Sequence, residues 1–445
     1  MRRLRRPGGL WRHPDFLKLW AAETISQFGS QVDDLAIGFV AITVLDASAF
    51  EVAVIGTLNF LPFLLVTLPA GVWVDRLRRR PILITSDLAR AALLATIPVA
   101  YVADALTLWQ LYAVVFLVGT FQVFFDVAYQ SYLPSLVERE QIIEGNAKLE
   151  VSRSAAQVGG PGVGGALVEI LTAPYAVLVD ALSFVGSGLF LLGIRRREER
   201  PERHTAEGRG SGLRAELREG LRFVLGNPNL RAQAGCTATS NLFSSVAFSI
   251  FLVFAVRELR LSAAVIGAIL SIGALGSLLA ALTARRLSSR FGIGPTTIAA
   301  GALFGPTIVV IGLAPEGSAA VPIIVAAQLL AGFSVVTYNI VQVSYRQAIC
   351  PPGLQGRMNS VMRFLVWGTI PIGTIAGGAL ASWIGLRETI VVGGVGAGLA
   401  VLWIVFSPQR RLRALPEPVE QEPRGGELAP TLPAAGEPLP AGDGN

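Results

Sequence analysis

The chain has 445 residues, of which 52% are hydrophobic and only 15% charged. A water-soluble domain carries about 25% charged residues, so the polar groups here cannot cover a water-facing surface of this size. The net charge of +6 is no mark of nucleic acid, because the arginines stand at the ends of apolar runs.

Those runs fall, in chain order, at 17–44, 52–74, 82–103, 108–131, 152–171, 174–194, 232–256, 263–284, 295–314, 320–342, 360–383 and 388–406. A helix that spans a bilayer needs about 20 apolar residues, and the all-round apolar character favours spans over surface helices. The expected fold is therefore an all-α membrane protein with twelve transmembrane helices in two pseudo-symmetric six-helix bundles. Residues 1–16 form an N-tail, 17–194 the first bundle, 195–230 a polar linker and 231–406 the second bundle. The remainder, 407–445, is rich in Pro, Gly, Ala and Glu and is expected to be disordered. The first run lacks a convincing cleavage site and is read as a retained span.

Loop arginines set the orientation. Arg2 to Arg6, Arg76 to Arg80, the stretch 195–222, Arg285, Arg286, Arg290, Arg346, Arg357 and Arg410 to Arg413 share one side. Only Arg257, Arg260 and Arg387 fall on the other. Both termini are thus expected in the cytoplasm, with the chain in the cell (inner) membrane.

Several chemistries are excluded. Neither Lys18 nor Lys148 lies in a G-x-x-x-x-G-K-[ST] sequence, so no P-loop exists. Cys236 and Cys350 form no CxxC, and His13 and His204 fall in polar segments. No metal, cofactor or enzymatic site is expected.

Charge inside a span is costly, about 3 kcal/mol at the centre of a bilayer, and marks function. Glu23, Gln27, Ser30 and Asp34 lie within about 60° on the first helix and make a polar stripe. Asp34 stands near the midplane and Asp33 sits off the stripe. A carboxyl there can take a proton from one side and release it to the other. A carboxyl wetted by a cavity, or paired structurally with an arginine, is the alternative. Asp126 shares a face with Gln122 and Tyr129 in the fourth span. Arg153 is a candidate cavity cation, or it pairs with Glu150 three residues away. Asp180 opens the sixth span.

In the fifth span, Gly160, Gly164 and Gly165 leave a groove for close helix approach, and Pro161 removes a backbone hydrogen bond and bends the helix. Shifting the chain by 213 residues brings Gly119 onto Gly332, Tyr132 onto Tyr345 and Asn146 onto Asn359. The same shift brings Gly164-Gly165-Ala166-Leu167 onto Gly377-Gly378-Ala379-Leu380. A duplicated half implies a two-fold axis along the membrane normal and a central cavity.

The loop Gly71-Val72-Trp73-Val74-Asp75-Arg76-Leu77-Arg78-Arg79-Arg80 resembles the G-x-x-x-D-R-x-G-R-R signature of the major facilitator superfamily. Gly160-Pro161-Gly162-Val163-Gly164-Gly165 is similar to the G-P-x-x-G-G element of its antiporter branch. Phe16-Leu17-Lys18-Leu19-Trp20 and Tyr132-Leu133-Pro134-Ser135-Leu136-Val137 resemble the enterobactin-exporter-like and macrolide-efflux-like subgroup. There are departures: Arg78 replaces the signature glycine, Ala156 stands four before Gly160, and the second-half loop 284–292 has lost the acid. The resemblance implies a gating latch at Gly71, Asp75, Arg76 and Arg79. It also implies export of an amphipathic small molecule (drug, antibiotic or siderophore type) in exchange for protons, by a monomer in the lipid bilayer. Proton-coupled uptake or facilitated passage of a small organic solute on the same scaffold is the alternative.

Overall fold

A computed structural model describes residues 9–74, 77–138, 141–196, 213–351 and 354–414. Asp75 and Arg76 lie outside the described residues, as do most of the linker and the C-terminal tail.

The first half contains α1 (Pro14–Phe39), α2 (Ala49–Val74), α3 (Arg79–Val102), α4 (Leu108–Leu136), α5 (Ile142–Leu171) and α6 (Ala173–Leu192). A short helix, α7 (Leu213–Gly226), precedes the second half. There, α8 (Pro228–Arg257), α9 (Ala263–Phe291), α10 (Ile293–Gly312) and α11 (Ala320–Ile349) follow, then α12 (Gln355–Trp367), α13 (Thr369–Ile384), α14 (Leu386–Leu399) and α15 (Leu402–Val405). No strand occurs among the described residues. Local chemistry fixes the ends. Thr107 caps α4 through the Gln110 amide, and the Asn227 side chain accepts from Asn229 and Leu230 ahead of α8. Gly292 and Gly385, with φ of 93° and 100°, turn α9 into α10 and α13 into α14.

Among the described residues, ten helical segments are long and apolar enough to cross a membrane by themselves. The other two spans, α1 and α5, carry Glu23, Asp33, Asp34, Glu150, Arg153 and Glu169. Of these, Glu23 and Asp33 are buried and the others are exposed. The eleventh span differs from the unbroken 360–383 run read from the sequence. It is two helices, α12 and α13, joined at Gly368. Pro371 has no N–H to offer the carbonyl of Trp367, so the ladder breaks one turn before it. The polar stretch after α6 holds α7, which packs on α12 through an Arg357–Glu219 ion pair.

The duplicated positions occupy matching contacts. A Cβ on Gly164 would stand 3.0 Å from Val32 Cα of α1, while one on Gly377 would meet the Val246 carbonyl of α8. A Cβ on Gly165 would meet the Ala263 carbonyl of α9 in the other half, and one on Gly378 would stand 2.9 Å from Phe50 Cα of α2. In each half, then, the first glycine of the pair seats its helix within its own bundle. The second seats it across the divide. Asymmetric packing of unrelated halves would not reproduce that division.

We call the end of the bundle that carries Pro14 the near end, and the end that carries the α1–α2 turn the far end. One apolar cluster at the far end includes Leu35, Phe39, Ile42, Val52 and Val177 of the first half together with Ile250, Phe254 and Ile266 of the second. At the near end the clusters are separate. Leu10, Phe16, Leu83 and Tyr132 belong to the first half, whereas Val224, Leu230 and Met358, and then Ala300, Tyr338 and Ile404, belong to the second. Polar links across the divide repeat the pattern. Arg257 Nη2 bonds Asp46 Oδ1 at 2.7 Å and the Ala47 carbonyl at 2.9 Å, and the Gly162 amide donates to Ser271 Oγ at 2.8 Å. The halves are therefore sealed at the far end.

Candidate functional site

On α1, Gly160 and Gly164 of α5 pack against Gln31 and Val32, and Asp180 and Ser183 of α6 pack against Gly29. Helices α5 and α6 so cover two sides of α1. The stripe Glu23, Gln27, Ser30 and Asp34 is left facing α4 and the interior. Asp34 is exposed and no hydrogen bond reaches its side chain. By helical period it lies on the face of α1 that carries Glu23 and Gln27. Asp33, 100° round the helix, is buried towards Asp180.

The centre of the first half holds a guanidinium. Arg90 of α3 is fully buried and bonds Asp87 and Gln122. Its carbon lies 4.7 Å from the ring centre of Phe125 and 4.0 Å from that of Phe184, a cation–π sandwich. Ser187 Oγ donates to Asp87 Oδ2 at 2.6 Å, and Gln122 Nε2 passes the network on to Asp126 Oδ1 at 2.8 Å. Gln27 Nε2 donates to Glu23 Oε1 at 2.7 Å, and Ser183 Oγ donates to Asp180 Oδ1 at 2.8 Å. Arg90 also lies within Coulombic range of Glu23, Asp33, Asp126 and Asp180. Glu23 Oε2, Asp33 Oδ1 and Asp180 Oδ2 are buried without a hydrogen-bond partner.

Five carboxyls thus surround one buried cation. Buried charge survives when it is paired and hydrogen-bonded. One guanidinium cannot neutralise five carboxylates, so the cluster is suited to holding protons and giving them up. Arg153 is exposed and does not bond Glu150. It lies in Coulombic range of Asp126 and Tyr129, which brings it to the same side as the stripe.

Sequence reasoning brought Glu23, Gln27, Asp33, Asp34 and Asp126 forward; the structure gathers Glu23, Gln27, Asp33 and Asp126 around Arg90 and leaves Asp34 at the edge, in range of Asp33 and Asp180. It missed Asp87 and Arg90, which organise that centre. The available signal was an acid and a base three apart inside an apolar run. The residues of the expected latch stand apart from this centre. Gly71 lies in the last turn of α2 and Arg79 opens α3, while Arg80 donates to the Leu191 and Leu192 carbonyls at 3.1 and 2.7 Å. Arg80 so caps α6 at the negative end of its dipole. Pro161 and the three glycines divide as described: Gly160 and Gly164 face α1, and Gly165 faces α9. No group of metal-ligating side chains occurs among the described residues.

In the second half a cavity of about 480 Å³ opens between α8, α9, α10, α11 and α14. Its polar lining includes Thr237, Asn241, Ser244, Gln328 and Asn339, and no charged side chain contributes.

Residues 9–424 match the profile of a family described as "Transmembrane secretion effector". The multidrug efflux pump Tap of Mycolicibacterium fortuitum is 29% identical over 385 residues, which is 82% of this chain and 89% of the pump. The multidrug efflux pump Tap of Mycobacterium tuberculosis (strain ATCC 25618 / H37Rv) is 26% identical over 392 residues, 85% of this chain and 90% of the pump. A bacterial homologue of the iron transporter ferroportin, solved in its inward-facing state, superposes with a TM-score of 0.68 at 19% identity. That match covers 89% of this chain and 99% of the other. The last comparison bears on the fold alone.

Proposed function

The chain belongs to the transmembrane secretion effector family of major facilitator transporters, multi-pass membrane proteins that are not enzymes, and from that premise we propose that it exports amphipathic small molecules in exchange for protons. The observation that carries the proposal is the buried cluster around Arg90. The chain carries no P-loop of its own, and an ion gradient is the energy source that buried carboxyls can use to move a solute uphill. Buried carboxyls in excess of their counter-ion are the groups in this chain that can load and unload protons. Asp34, exposed and within Coulombic range of Asp33 and Asp180 at the edge of the cluster, is the entry point for protons.

The positive-inside bias puts the near end in the cytoplasm, so the far-end seal corresponds to an inward-open state. Rocking of the halves would part the α5–α9 and α2–α13 contacts, open the far end and close the near end. In the outward-open state the carboxyls load from the acidic side, and in the inward-open state they discharge. Substrate travels the opposite way. One proton supplies about 2.3 kcal/mol per 100 mV and about 1.4 kcal/mol per pH unit. That is enough for a solute gradient of tens- to hundreds-fold without ATP. The efflux pumps named above resemble this chain over most of its length, which favours export over uptake.

The test is accumulation of a fluorescent amphiphile in inverted membrane vesicles with an acidic lumen. Wild type should accumulate the dye and lose it when the gradient is collapsed. Asp34→Asn should lose gradient-driven accumulation and retain passive exchange. Dye uptake that ignores the gradient in wild type would refute proton coupling.

A further inference from the structure

The two halves are built on one plan but differ in charge, and the difference is concentrated at one place. Helix α8 repeats the packing of α1. Gly160 and Gly164 pack on Gln31 and Val32, whereas Gly373 and Gly377 pack on Ser245 and Val246. That register puts Thr237 where Glu23 stands, Asn241 at Gln27, Ser244 at Ser30 and Phe248 at Asp34. All four line the second-half cavity. The duplicated shift puts Asn339 at Asp126. Where the first half holds a charged cluster, the second half holds an uncharged cavity.

The lining has unspent hydrogen-bonding capacity. Thr237 Oγ1 bonds Tyr338 Oη at 3.0 Å, and Asn241 Nδ2 donates to the Val366 carbonyl at 3.1 Å. Ser240, Ser277 and Gln328 also line the cavity, and their side chains have no protein partner. At about 480 Å³ the space falls within the range of drug-sized ligand sites. An ion entering it would find no counter-ion, and burying an unpaired charge is strongly unfavourable.

We infer that this cavity is a substrate subsite for the uncharged, hydrogen-bonding part of an amphipathic molecule. Its ligands carry amide or hydroxyl groups on an aromatic or aliphatic body. Charged substrates depend instead on the carboxyls of the first half. This division of labour rests on the proposed export function for its meaning, but it is tested by binding alone.

Two tritiated probes are measured by scintillation proximity on detergent-purified full-length protein without any gradient. One is chloramphenicol, an uncharged amide with two hydroxyls, and the other is the tetraphenylphosphonium cation. Ser240→Phe fills the cavity and should weaken chloramphenicol binding more than tenfold. Gln328→Leu keeps the volume, removes a free donor and acceptor, and should weaken it about two- to tenfold. Neither change should move tetraphenylphosphonium affinity by more than about twofold, a result that a folding defect could not give. Asp34→Asn should leave chloramphenicol binding intact. Wild type that fails to bind chloramphenicol, Gln328→Leu that binds it as wild type does, or parallel loss of both probes would overturn the inference. Absence of gradient-driven transport alongside intact, variant-sensitive binding would instead overturn the export proposal and leave the subsite standing.

Discussion

Substitution of Gly165 by alanine should shift the molecule away from the far-end-sealed state. The added Cβ would press on the Ala263 carbonyl oxygen and stand 3.0 Å from Gly267 Cα, so two backbones and no flexible side chain must give way. Forcing a methyl group into packing of that kind costs about 1–3 kcal/mol. The cost falls on the sealed state alone, because separation of the halves relieves it. A bias of that size changes the ratio of the two states by about 5- to 150-fold. Spin labels at Asp104 and Glu316, exposed on opposite halves at the far end, would report it as a shift to longer distances in a cysteine-free background. Gly267→Ala should act in the same direction, since its Cβ would meet the Pro161 carbonyl. Gly186→Ala, whose Cβ meets nothing within 4 Å, is the control. A folded Gly165→Ala protein with the wild-type distance distribution would refute the idea that α5 and α9 form the moving seal.

Three further outcomes follow from the geometry. Arg90→Met should lower stability by about 3–5 kcal/mol, as expected when one member of a buried ion pair is removed; Asp87→Asn in the same chain should recover part of the loss, and a fully additive double mutant in thermal unfolding would contradict the pairing. Gly29→Ala should weaken α1–α6 packing by about 1–3 kcal/mol, because its Cβ would clash with Asp180 and Ser183, and an unchanged melting temperature would count against that contact. Glu144 lies in the first turn of α5, ahead of the apolar run at 152–171. There the Leu10 amide at 3.0 Å, and then Lys148 at 3.3 Å, hold its carboxyl below the ordinary value of 4.5. A depressed carboxyl contributes at pH values above its unfolded range and is lost as pH falls through the folded value, so Leu10 amide protection, corrected for intrinsic exchange, should persist at pH 6 and fall well below pH 4.5. Protection in Glu144→Gln equal to wild type at pH 6 would contradict this.

The architecture was legible because its signals are physical and repeated. Apolar runs of bilayer length gave the twelve spans, and the GGAL pair at a constant shift revealed the duplication, which the contacts of Gly164, Gly165, Gly377 and Gly378 reproduce. The α1 stripe was legible because helical period alone aligns Glu23, Gln27, Ser30 and Asp34. Arg90 was not, because arginine in a chain with 35 of them reads as loop charge. Its burial depends on Gln122, Phe125 and Phe184, which are distant in sequence. The break at Gly368 carried a local signal in Pro371, but prolines also stand inside continuous helices, as Pro62 and Pro69 do in α2. The second-half cavity left no mark in sequence, since it follows from uncharged residues at positions that are charged in the other half.

The central claim is that protons held by the first-half carboxyls cross the membrane against the substrate. Proton flux, followed with a trapped pH-sensitive dye in proteoliposomes as a substrate gradient is imposed, tests it most directly. The account predicts that outward-driven substrate draws protons inward in wild type, and that both Glu23→Gln and Asp34→Asn uncouple the two. Substrate movement in wild type with no change in internal pH would contradict it.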